Sequence, residues 1–195
     1  MITVAVEVWW SSLVAARHEL VGLLDATERA RVESLDRPAD RGRSLLGAAL
    51  LRVAAGSWLD VAPGDVVVDR TCADCGEPHG APRILQPDAP WVSVSHSGVL
   101  AVVALCSDGP VGVDVQRVAE LDDPADGSAW ARREAAFKAG TAGPHAIAPN
   151  AVAPDAVEHE LRSPLAGYAA ALVAPAPAGE PVVVHWPPAA KRPSS

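Results

Sequence analysis

Lysine is nearly missing from this sequence. Of its 16 basic residues two are lysines, Lys138 and Lys191, and the others are arginines. Cationic chemistry therefore rests on guanidinium groups, which stay charged at any working pH and grip anions through a planar fork. Acidic residues outnumber basic ones and the formal charge is −8, which argues against a nucleic-acid binder with its broad basic face. No apolar run is long enough to span a bilayer, so no membrane partner is expected. Three cysteines, an odd number, make a poor disulfide framework and fit a reducing compartment. Met1 to Trp10 alternates like a strand, without the basic start and apolar run of a signal peptide, and a cytoplasmic location is expected. What the chain does have is apolar content, 49% of 195 residues. That is too much for disorder throughout and enough for one or two small domains.

Several segments carry a clear period. Ile2 to Trp10 reads as a strand and Leu13 to Leu24 as a helix, with a new helix start at Asp25-Ala26-Thr27-Glu28, where Asp25 or Thr27 can cap. Arg29, Arg31, Arg37, Arg41 and Arg43 follow, interrupted by Pro38. Arg43 to Gly56 is the cleanest helix, with Leu45, Leu46, Ala49, Leu50 and Val53 forming one apolar stripe and Arg52 expected to be structural. Pro63-Gly64-Asp65 is a turn and Val66 to Asp69 a short strand. Cys72, Cys75 and His79 offer three soft ligands, short of the four of a closed zinc site, and a loop packed by two thiols is the expectation. Trp91 to Ser95, Val99 to Cys106, Val157 to Leu161, Ala166 to Val173 and Val182 to Trp186 read as strands. The turn-rich stretch Arg117 to Ala129 and the polar tail Pro187 to Ser195 do not.

Two neighbouring patches hold the chemistry. In Val111-Gly112-Val113-Asp114-Val115-Gln116 the valines point one way and Gly112, Asp114 and Gln116 the other. In Trp130-Ala131-Arg132-Arg133-Glu134-Ala135-Ala136-Phe137-Lys138, Glu134 and Lys138 share one helix face at i and i+4. A strand carboxylate, a helix carboxylate and a nearby lysine can hold a hard divalent cation over a phosphate. The same residues also read as a stray strand aspartate beside an ordinary helix ion pair, and spacing leaves both open.

These patches resemble the paired signatures of the Sfp-type 4′-phosphopantetheinyl transferases, a glycine-aspartate strand and a W-x-x-K-E-A-x-x-K helix. Val92-Ser93-Val94-Ser95-His96-Ser97-Gly98 resembles that family's serine-histidine-serine strand end, and Arg43-Ser44-Leu45-Leu46-Gly47 its arginine-led N-terminal helix. The motifs run in the family's order from about residue 27 to residue 138, and the C-terminal third matches loosely. The resemblance implies an α+β fold of two similar α/β halves, pseudo-dimeric, with a coenzyme A-binding half at 1–107, a metal and catalytic half at 108–186 and a flexible tail at 187–195. It implies a monomer that transfers 4′-phosphopantetheine from coenzyme A to a serine of an acyl or peptidyl carrier protein, releasing 3′,5′-ADP. Mg²⁺ is then expected on Asp114, Gln116 and Glu134, with Glu134 as the base, Lys138 neutralising phosphate charge and His96 at the pyrophosphate. Arg29 and Arg43 are expected at the 3′-phosphate, Ser95 beside His96, and Arg83 near the adenine.

The chain departs from the family pattern in four places. Ala81 stands for a lysine, Gln116 for an acid and Arg133 for a lysine, and the connector between Gln116 and Trp130 has thirteen residues, shorter than usual. Fully extended, those residues reach about 40 Å, so the metal site can still close. The alternatives are a non-catalytic relative that binds coenzyme A or a carrier protein, and a scaffold whose arginines bind an acidic protein.

Overall fold

Alternation along the strands decides the layering. The computed structural model describes residues 5–141 and 156–187. Its first sheet orders four strands as β4 (Trp91–Ser97), β5 (Leu100–Cys106), β1 (Val6–Ser12) and β9 (Val182–His185). On β5, Ala101, Val103 and Leu105 pack with Leu46, Leu50 and Ala54 of the long helix α2 (Pro38–Leu59). The intervening Leu100, Val102, Ala104 and Cys106 face a second sheet of β6 (Gly112–Arg117), β8 (Tyr168–Pro175) and β7 (Ala156–Glu160). The valines of β6 enter that inter-sheet core with Val8 and Leu172. Helix α3 (Gly127–Thr141) covers the far side of the second sheet through Ala131, Ala135 and Ala139. The result is helix, sheet, sheet, helix, a mixed α+β fold. A two-stranded pair of β2 (Val68–Asp69) and β3 (Arg83–Ile84) is hydrogen-bonded to neither sheet, and its Ile84 joins the α2-side core.

The two sheets meet at their edges as well as their faces. Ser93, Ser95 and Ser97 of β4 accept hydrogen bonds from the backbone N–H groups of Val113, Val115 and Arg117 at 3.1, 3.3 and 2.9 Å. Edge-strand donors that would otherwise be orphaned are thus met by hydroxyls in place of a backbone ladder. Val92 and Val94 alternate with these serines and pack on the α2 side.

Several expected boundaries move. Leu13 to Leu24 forms two short 3₁₀ turns, Leu13–Ala15 and His18–Leu23, because neither has a side-chain N-cap and their closing bonds run i to i+3. Asp25 does cap α1 (Ala26–Glu33), in a reciprocal box with Glu28. Helix α2 starts five residues before Arg43, because Pro38 at its first turn is preorganised for a helix. Arg43 therefore sits inside the helix, away from the N-terminal dipole. Helix α3 begins at Gly127, since the 3₁₀ turn Pro124–Asp126 runs straight into it. Strand β9, expected in the second half, pairs in parallel with β1 in the first sheet. The start of the first expected strand at residues 2–4, the run from Gly143-Pro144 to Pro154 and the tail 188–195 lie outside the described residues. No helix among the described residues is long and apolar enough to cross a membrane.

Arg52 ties α1 to α2. It is 1% exposed and donates to Glu28 at 2.6 Å, to Asp25 at 2.8 Å and to the carbonyl of Val66 at 2.7 Å. Removing one partner of a buried ion pair leaves an uncompensated charge. Arg52→Met is therefore expected to lower unfolding free energy by about 3–5 kcal/mol, read from chemical denaturation.

Candidate active site

The site is built on a close backbone contact. A Cβ placed on Gly112 would lie 1.8 Å from the carbonyl oxygen of Ala135 and 2.5 Å from the nitrogen of Ala139. Only glycine lets α3 come this near, and the alanines of its inner face keep the approach open. Glu134 and Lys138 each precede one of those alanines, so they border the contact face and reach the same cleft as Asp114 on β6. Lys138 Nζ lies 2.6 Å from Asp114 Oδ1 and 3.3 Å from the carbonyl of Val113.

Asp114 is 5% exposed. Its Oδ1 also accepts the hydroxyl of Ser95 at 2.8 Å. Its Oδ2 is buried with no hydrogen-bond partner among the protein groups, an arrangement that favours a cation from outside. Asp114, Gln116 and Glu134 all line one cleft of about 510 Å³. Their hard oxygens are the donor chemistry that magnesium or a like ion takes, so these residues fit the expected metal. Gln116 donates its own NH₂ to the carbonyl of Arg117 at 3.0 Å.

His96 and Ser95 are neighbours on β4 and point to opposite faces. Ser95 is buried in the seam, where its hydroxyl serves Asp114 and Val115, so it acts by holding the carboxylate. His96 is exposed at the cleft wall with protein packed around its other sides. Its pKa lies below the ordinary value of 6.5, chiefly because of desolvation and then the charges of Arg43, Lys138 and Arg31. The ring stands where positive charge gathers.

The arginines divide. Arg31 and Arg70 line the cleft. Burial and then the nearby Arg31 push the Arg70 guanidinium below its ordinary pKa, a cost that a bound anion would relieve. Arg29 instead bonds the carbonyl of Leu24 at 2.5 Å and does not line the cleft. Arg43 bonds the carbonyl of Gly98 at 3.1 Å and pairs with Asp40, acting on His96 by its charge. Arg83 pairs with Asp69 and lines a separate groove beside Trp91. Thr71, together with that arginine, holds Asp69 down at about 2. Arg133 lies over the Trp130 ring, 5.7 Å from its centre, while Trp130 itself enters the cleft wall. Arg70 and Trp130 had no periodic signal to single them out as cleft residues; the cleft gathers them from separate elements.

Two curated proteins match this chain. One, from Synechocystis sp., bears the provisional name 4′-phosphopantetheinyl transferase and is 32% identical over 96 residues, which cover 48% of this chain and 37% of that protein. The other, from Thraustochytrium sp., is named phosphopantetheinyl transferase and is 31% identical over 121 residues, covering 58% of this chain and 40% of that protein. Over about half its length the chain is similar to proteins named phosphopantetheinyl transferases. The matches span about two fifths of the length of these curated relatives. No protein-family model matches the chain. In this chain the glycine-aspartate strand and the tryptophan-led helix lie against each other at one cleft, through Gly112.

Two outcomes follow from this geometry. Gly112→Ala forces α3 off β6 and should cost at least about 1–3 kcal/mol, read as a lower midpoint of denaturation. For His96, a lowered folded pKa means that the unfolded chain binds more protons just below pH 6.5. Stability must then rise with pH across that window. His96→Gln should flatten that rise, measured as the difference between the two proteins' unfolding free energies across a pH series.

Proposed function

We propose that this chain transfers the 4′-phosphopantetheinyl group from coenzyme A to a serine hydroxyl of an acyl or peptidyl carrier protein. The reading takes the helix-sheet and sheet-helix layers as two pseudo-dimeric halves with the cleft between them, in a monomeric, cytoplasmic holo-[acyl-carrier-protein] synthase. What carries it is the meeting of Asp114, Glu134, Lys138 and His96 at one cleft with arginines beside them, in a relative of named phosphopantetheinyl transferases.

The carrier serine oxygen bonds to the diphosphate phosphorus that bears the pantetheine arm. The phosphorus–oxygen bond to the nucleotide breaks, 3′,5′-ADP leaves, and Glu134 takes the serine proton. Mg²⁺ held by Asp114, Gln116 and Glu134 would supply charge neutralisation and orientation at the diphosphate. Ser95 fixes Asp114 for that task. Lys138, already anchored on Asp114, adds the remaining positive charge, and the neutral ring of His96 donates a hydrogen bond to the diphosphate. Arg31 and Arg70 take the 3′-phosphate, the role first expected of Arg29 and Arg43. Gln116 brings no charge, which weakens the metal but leaves a hard ligand.

The discriminating experiment is incubation with coenzyme A, Mg²⁺ and a panel of apo carrier proteins, read by mass. Active transfer adds one pantetheinyl group to a carrier, and Asp114→Ala and Glu134→Gln each lower the rate by about 10²–10³-fold while circular dichroism stays unchanged. A folded protein that binds coenzyme A and modifies no carrier would leave the non-catalytic binder as the better reading. Full activity in both variants would remove the assigned roles.

A further inference from the structure

The loop between β2 and β3 has a feature that phosphate chemistry does not use. Cys72, Cys75 and His79 present their sulfur and ring-nitrogen atoms within 4.8 Å of one another, and Cys75 Sγ lies 3.0 Å from His79 Nε2. Among the described residues no other group of three or more histidine, cysteine or acidic side chains gathers this closely. A tetrahedral zinc with sulfur and imidazole ligands needs donors about 3.5–3.8 Å apart, a small adjustment for exposed side chains.

The backbone around the cluster is shaped for a thiolate-bound metal. Gly76, at φ +77, supplies the left-handed residue that turns the chain back after Cys75. Its N–H bonds the carbonyl of Cys72 at 3.0 Å, and the N–H of Cys72 bonds the carbonyl of Glu77 at 2.8 Å. At the base, Gly80 bonds the carbonyl of Arg70 at 2.7 Å. The loop is a closed knuckle with all three donors on one side.

We propose that Cys72, Cys75 and His79 bind one zinc ion, with the fourth position open to water. Two thiolates and an imidazole select a borderline-soft ion over magnesium, so this centre and the carboxylate centre take different metals. The same loop supplies His79, Gly80, Ala81 and Pro82 to the cleft wall, with Arg70 at its base. Zinc would brace that wall. The metal assignment does not depend on the transferase reading.

The test uses the full chain, purified without chelator from zinc-supplemented growth, with metal content measured by mass spectrometry. One zinc per chain is expected in the wild type and in Asp114→Ala, and none in Cys72→Ser or Cys75→Ser. Cobalt substitution of the wild-type protein should give a sulfur-to-metal charge-transfer band that zinc abolishes, an outcome independent of how the variants fold. After chelation, the amide hydrogens of Cys72, Gly76 and Gly80 should exchange faster. Absence of stoichiometric zinc, retention of zinc by the Cys72→Ser/Cys75→Ser double variant, or a Cys72–Cys75 disulfide in the freshly purified protein would each overturn the assignment.

Discussion

Backbone meets backbone where α3 crosses β6, and the missing side chain of Gly112 makes that contact permissible. A helix normally stands off a sheet by the thickness of two side-chain layers. Here a glycine faces the carbonyl of Ala135 and the amide of Ala139, and alanines fill the rest of the helix face. The reduced spacing is what lets Lys138 reach Asp114 and the carbonyl of Val113 at once. A larger residue at 112 would lift both Glu134 and Lys138 away from the strand carboxylate.

The serine seam completes the arrangement from the other side. Three hydroxyls on β4 satisfy three N–H groups on β6 and so fix how the sheets' edges lie along one another. The middle one, Ser95, also donates to Asp114. One strand thus presents a seam face that positions the acid and an α2-side face that carries His96 to the cleft. Asp114 is held at one oxygen by a hydroxyl and an ammonium and left without a partner at the other. Around it the cleft gathers Arg31, Arg70, Lys138 and His96. This is a local concentration of positive and hydrogen-bonding groups on a chain whose net charge is −8.

Much of this was legible because period-2 and period-3.6 patterns report burial directly. Val111, Val113 and Val115 alternate with Gly112 and Asp114 as a strand must, and Glu134 and Lys138 are one helical turn apart. The opposed directions of Ser95 and His96 follow from the same rule, as does the structural role of a lone arginine inside an apolar helix. Long-range pairing carries no such local signal. Nothing near Gly112 says that Ala135 will lie on it, and nothing in β9 says that it returns to β1. Among the arginines it is the partners that have no local signal. A charge run shows that cations are present, while the carbonyls of Leu24 and Gly98, which hold Arg29 and Arg43, appear only in three dimensions. Arg70 stood alone in the sequence and lines the cleft from the base of the β2–β3 loop.

In the proposed transfer, Asp114 on the strand and Glu134 on the helix share one cation when a diphosphate is present. Electron paramagnetic resonance of Mn²⁺, used in place of Mg²⁺ with coenzyme A, addresses it directly. One bound Mn²⁺ per chain in the wild type, with binding lost in both Asp114→Ala and Glu134→Gln, is the predicted result. Equal Mn²⁺ binding by the wild type and both variants would contradict it.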